Sequence, residues 1–221
     1  MRCLIFLPML LAAAPARADQ DTQYWTAYQV SGPVAGKLLI QADLAVRASD
    51  RSRGLSQIDA VVVLGTPISK RFALYGGYVR SLRYTPGVPT PVEERLRAQL
   101  SGDLGSLAGG AIALRLRGEM RWRNDAADTA WRGRAQVKWT RPFRTGGATA
   151  LVLAHETYVN ANRADWVSTR GIDRMRHSIG VSTPLGDRLR VEAGYLNQHR
   201  FVRRGPDLGE HVAQVALSWS L

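Results

Sequence analysis

The chain is nearly without cysteine. Its 221 residues hold one, Cys3, which lies in an apolar leader, so the remainder offers neither a disulfide framework nor thiol chemistry. Long apolar runs are also missing: beyond the leader no stretch of about 18 apolar residues occurs, which excludes a helical membrane span. No segment shows the 3.6-residue apolar period of an amphipathic helix. Acids are scarce beside bases, 18 against 30, for a net charge of +12, and nearly all the cations are arginine. Guanidinium suits partly desolvated, fixed-geometry pairing with carboxylate or phosphate. A basic chain invites a nucleic-acid reading. Here the arginines are spread over strand-like segments instead of gathered on one helix or arm, and an export signal argues against that partner.

That signal comes first. Met1-Arg2, an apolar stretch from Leu4 to Ala14 and the exit Ala16-Arg17-Ala18 before Asp19-Gln20 have the parts of a secretory signal peptide, with cleavage expected after Ala18. Pro8 and Pro15 would break a buried helix there. Residues 1–18 are thus read as the leader and residues 19–221 as one domain; losing Arg2 and Arg17 leaves a net charge of +10.

What the chain has in abundance is alternation. From Gly110 to Trp122, Ile112, Leu114, Leu116, Gly118, Met120 and Trp122 interleave with Ala113, Arg115, Arg117, Glu119 and Arg121. Period two is the mark of a strand whose two faces see different surroundings. The same pattern recurs over Gln23–Val30, Lys37–Arg47, Gln57–Thr66, Arg71–Ser81, Glu94–Ser101, Trp131–Arg141, Ala148–Asn160, Arg174–Thr183, Arg188–Gln198 and His211–Leu221. Short Pro/Gly turns alternate with longer polar loops, and most runs are about ten residues, the length that crosses an outer membrane at a tilt. A soluble sandwich would use strands of about five or six. The expectation is an all-β, antiparallel, transmembrane up-and-down β-barrel. A single-chain barrel is expected to have an even strand number, so the reading is ten strands rather than twelve, with Gln23–Val30 as a partial strand, periplasmic segment or plug.

The aromatic positions fit that picture. Trp122 and Trp131 flank one loop on the apolar phase and are expected side by side, while Trp139 lies eight residues further, about 20 Å in height at strand rise and tilt. Together with Trp219 they form a candidate aromatic girdle toward outer-membrane lipid. The last strand alternates Ala213, Val215, Leu217, Trp219 and Leu221, an ending of the kind read by the outer-membrane assembly machinery, with Leu where Phe is common.

Gly76-Gly77-Tyr78, Glu94 with Gln99, Arg115-x-Arg117-x-Glu119-x-Arg121, Arg132-x-Arg134, Glu156 followed by Asn160, Arg176 with Gly180, and Glu192 through Gln198 resemble domain of unknown function 2490. The resemblance covers most of the chain after the leader. It implies an exported protein of Gram-negative bacteria in the outer membrane, and it implies no activity.

The polar phases collect Arg115, Arg117, Glu119, Arg121, Arg132, Arg134, Glu156, Arg176 and Glu192. In a narrow barrel these meet at the axis, where an unpaired charge costs several kcal/mol. A carboxylate-paired lattice is therefore expected, with Glu119, Glu156 and Glu192 each touching arginine. The arginine surplus would leave a structural barrel or a narrow, porin-like anion path. Arg51, Arg53, Arg83, Arg203 and Arg204 are candidate contacts for lipopolysaccharide phosphates.

The competing reading is a lipid-modifying enzyme, since some outer-membrane barrels place a His and a Ser on the lipid-facing surface. His155 and His177 fall on the apolar phase, but no serine pairs with either by local spacing. No metal-ligand spacing, cofactor motif or Gly-x-Ser-x-Gly occurs. The chain is read as neither enzyme nor metalloprotein, and it gives no signal for oligomeric state.

Overall fold

The computed structural model describes residues 19–88, 90–167, 169–203 and 205–221. The expected leader, Pro89 and Arg204 lie outside the described residues. Eleven strands follow one another: β1 Asp19–Ala35, β2 Leu38–Ser49, β3 Gly54–Pro67, β4 Phe72–Arg83, β5 Val92–Leu107, β6 Gly110–Arg123, β7 Ala130–Pro142, β8 Ala150–Asn160, β9 Gly171–Pro184, β10 Leu189–Arg200 and β11 Leu208–Ser220. Each pairs antiparallel with its chain neighbours, and β1 joins β11 to close a barrel.

The closure corrects the expected count of ten. β1 is no partial strand or plug. It has 17 residues, pairs β2 antiparallel, and pairs β11 in parallel from Asp19↔Leu208 to Ser31↔Ser220. An even count follows only if the seam is antiparallel. The exposed edges of β2 and β11 each need a partner, and β1 supplies both with its two sides.

At one rim the connections are short, such as the two residues between β1 and β2 and between β5 and β6. In the second of these, Ala108 and Gly109 both hold positive φ, 50° and 76°, as a type I′ hairpin turn requires. At the other rim lie the loops after β4, β6, β8 and β10. The loop after β8 reaches across to the loop after β6: Ala127 N–H donates to Asp165, Asp165 N–H donates to Asp128, and the Trp166 indole N–H donates to the Asp128 carbonyl.

Alternation then sorts the two faces. Leu44, Val62, Leu64, Leu74, Leu96, Leu116, Val137, Leu153, Ile179 and Val215 are exposed on the outside. The buried residues are mainly polar: among the described residues 20 buried side chains are polar or charged and 11 are apolar. The apolar exception inside is a small cluster of Val61, Val63 and Val79 with Tyr75 on β3 and β4. Between β9 and β10, Gly180 opposes Gly194, and a Cβ on Gly180 would lie 2.7 Å from the Ala193 carbonyl oxygen.

Candidate functional site

The lumen is the site. Strands β5, β6 and β7 send long charged side chains inward at nearly every second residue, β8 and β9 add Glu156, Arg174 and Arg176, and the carboxylates among them act as hubs. Glu119 on β6 accepts from Arg97 on β5 at 2.9 Å and from Arg132 on β7 through two nitrogens at 2.9 and 2.6 Å. Arg134 adds a longer bond at 3.3 Å. Glu156 on β8 takes two bonds from Arg134, at 3.1 and 2.8 Å, and one from the Tyr158 hydroxyl; Arg117 and Arg176 stand at 3.6 Å. Glu93 receives Arg95 and Arg121 on one oxygen and has Arg83 at 3.2 Å from the other. Asp59 on β3 pairs with Arg47 at 3.0 Å. Guanidinium has five donors in a plane and carboxylate about four acceptor positions, so each hub is filled by two or three partners.

Aromatic rings fill the space between the hubs. The guanidiniums of Arg132, Arg134, Arg174 and Arg176 surround Tyr158 at 4.4 to 5.3 Å from the ring centre. Trp25 on β1 takes Arg47 and Arg176 in the same way. At the long-loop rim Trp166 lies 4.7 Å from the Arg121 guanidinium, so the laced loops cap that end of the lattice. There, outside the barrel wall, a hydrogen bond from Arg123 holds the exposed Asp125 carboxyl below its ordinary value.

Toward the short turns the filling changes. Arg115 donates to Gln136 at 2.5 Å, makes no ion pair among the described residues, and its Nε is buried without a partner. Amides take over here: Gln29 and Gln41 both donate to Asp43, and Arg117 donates to Gln99. A cavity of about 360 Å³ runs through the middle, walled by ten arginines and Lys138 against Asp43, Asp59, Glu156 and Glu192.

All nine expected lumen residues face inward on β6 to β10. Glu192 is a correction: among the described residues it reaches Lys138 at 2.6 Å and no arginine, and the residues beside it on the adjoining strands are Ser182 and Ala216, which carry no charge. Arg83 is another. It is no loop residue but the end of β4, turned onto Glu93. Sequence reasoning missed Glu93, Tyr158, Trp25 and Trp166. The signal for Glu93 was the phase of Arg95 and Arg97, which places Glu93 inside and Glu94 outside. Glu94 accordingly accepts from the Trp122 indole on the outer face.

The four girdle tryptophans also face outward. Trp131 and Trp219 are exposed, and Trp139 donates to the Leu107 carbonyl near the short-turn rim. Trp131 pairs with Met120, not Trp122, so Trp122 sits one step nearer the rim than the side-by-side arrangement expected. His155 and His177 lie outside, opposite each other on β8 and β9.

Comparison with known proteins agrees with the sequence resemblance. No solved structure matches. An uncharacterised protein of Methylorubrum extorquens is 29% identical over 203 residues, covering 88% of this chain and 87% of its own. Residues 22–208 match the family described as Protein of unknown function (DUF2490), and the chain belongs to that family.

Proposed function

We propose that this is an outer-membrane β-barrel, exported by a leader cleaved after Ala18, whose cationic lumen is held nearly shut by arginine–carboxylate lattices and admits at most a narrow stream of small anions. The observation that carries the reading is the inversion of the molecule, apolar outside and charged within. In water an exposed belt of leucine, valine and isoleucine on nearly every strand would be an aggregation surface; against acyl chains it is the required face. The outward row ending in Val215, Trp219 and Leu221 offers the assembly machinery an apolar terminal strand. Arg51, Arg53 and Arg203 stand at the rim where lipopolysaccharide phosphates would lie.

Surplus cations along the cavity favour anions in whatever passage remains. Two measurements test this. The processed chain should begin at Asp19, sediment with outer membranes and show heat-modifiable mobility; recovery as a soluble periplasmic protein would overturn the location. In planar bilayers the protein should give no conductance or small anion-selective steps that enlarge in Glu119→Ala, and large cation-selective conductance would overturn the lumen reading.

A further inference from the structure

The outer face carries, well inside β8 and β9, a group of side chains that an acyl-chain environment does not explain. On β8, His155 and Thr157 lie two residues apart and point out together, with the imidazole Nε2 2.8 Å from the threonine Oγ1. The other imidazole nitrogen, Nδ1, is 3.3 Å from Nδ1 of His177 on β9, and the two rings are 4.6 Å apart, tilted at 45°. Exposed Leu153, Val159 and Ile179 flank the group. Imidazoles on an apolar, lipid-directed surface are costly and mark function more often than stability.

Two proton arrangements satisfy both contacts; in the one that leaves His155 a base, the Thr157 hydroxyl donates to His155 Nε2, so His155 carries its proton on Nδ1 and donates it to His177 Nδ1, which as a neutral ring accepts. That is the order nucleophile, base, orienting group, at distances within or close to those such an arrangement needs before substrate tightens it. Thr157 supplies, at this spacing, the hydroxyl that a serine would have supplied.

We propose that Thr157 and His155 are catalytic residues, and His177 a positioning residue, of an outer-face esterase acting on ester-linked acyl chains of a membrane lipid. Thr157 Oγ1 attacks the ester carbonyl carbon while its proton passes to His155 Nε2. The bond to the lipid alkoxide breaks, and the departing oxygen takes that proton from the imidazolium. Water then attacks the acyl-threonine, giving its proton to His155; the Thr157 oxygen leaves and recovers a proton from the same imidazole, releasing a fatty acid. His177 keeps the His155 ring in the productive tautomer and steadies the imidazolium. Leu153, Val159 and Ile179 provide the apolar seat for the acyl chain. The choice of a lipid substrate rests on the outer-membrane reading; the arrangement of the three side chains does not.

The experiment uses full-length, processed protein in detergent, with mixed micelles of phosphatidylethanolamine in one arm and lipopolysaccharide in the other, and fatty-acid release read by mass spectrometry. Release in either arm supports the proposal and identifies the acyl donor. Thr157→Val and His155→Ala should lose about 100-fold or more, Thr157→Ser should keep activity, and His211→Ala should match the parent. His177→Leu should lower kcat with KM unchanged, and His177→Asn should restore part of it. A long-chain alkyl fluorophosphonate should label Thr157, and the label should vanish in His155→Ala. Heat-modifiable mobility verifies that each variant is folded. No release and no adduct from folded protein, or release that persists in Thr157→Val, would overturn the proposal. Membrane flotation reads the location separately, so the two readings fail independently.

Discussion

Toward the long loops, Glu93, Glu119 and Glu156 each gather two or more guanidiniums, and the Glu119 side chain is wholly enclosed, 0% exposed. Toward the short turns, Glu192 meets a single ammonium, and the pair stays partly open, Lys138 37% and Glu192 24% exposed. The strands alternate in the same way in both halves. What differs is the number of carboxylates available per arginine, and hence whether a guanidinium is tied to an acid, as Arg132 is, or left with an amide, as Arg115 is. Where acids are plentiful the ion pairs are enclosed, and where they are few the pairs stay partly open.

The contrast can be broken most forcefully at Glu119. Glu119→Ala strips the carboxylate from Arg97 and Arg132 and leaves buried guanidiniums uncompensated, which should cost about 3–5 kcal/mol, seen as a lower denaturant midpoint for loss of the compact, heat-modifiable form. Glu192→Ala serves as its counterpart. Because that pair is partly solvated, the same measurement should fall by less than about 1 kcal/mol; a loss comparable to that of Glu119→Ala would erase the distinction between the two halves.

A smaller effect sharpens the boundary outside the barrel. The half-buried Asp207 accepts from Val202 N–H at 2.9 Å and faces the His199 ring, and the backbone bond, followed by the histidine contact, holds its carboxyl below its ordinary value. A depressed folded value means the contribution is complete above the unfolded value and lost as pH falls through the folded one. Amide exchange at Val202, corrected for intrinsic rate, should therefore stay constant from neutral pH down to the ordinary carboxylate range and quicken only below it. Quickening that sets in above that range would overturn the assignment to Asp207.

β1 was read only as a partial strand, periplasmic segment or plug, while the other ten strands were legible in the sequence, because alternation is a local property and each run holds its own record of which face is polar. The parity of the barrel was not, since it depends on how the two ends of the chain meet. The nine lumen residues were legible by phase, yet their partners were not. Glu192 and Lys138 lie on β10 and β7, which share no edge, and nothing local shows that they meet across the lumen. Thr157 was legible in type and position, two residues from His155. It was overlooked because the serine usually sought was absent, and the contact with His177 depends on the β8–β9 register.

The parallel seam has a consequence for how the molecule comes together. Ten of the eleven junctions join consecutive strands and can zip as hairpins, each with only a local loop to close. The junction of β1 with β11 joins residues nearly the full chain length apart, so no local turn can nucleate it and the loop-closure entropy is paid in one step. Until then the sheet is an open ribbon with two bare edges, each able to capture a foreign strand. Because the seam is parallel, the start of β1 and the end of β11 lie at opposite rims, so the final closure must carry the start of β1 across the whole height of the wall.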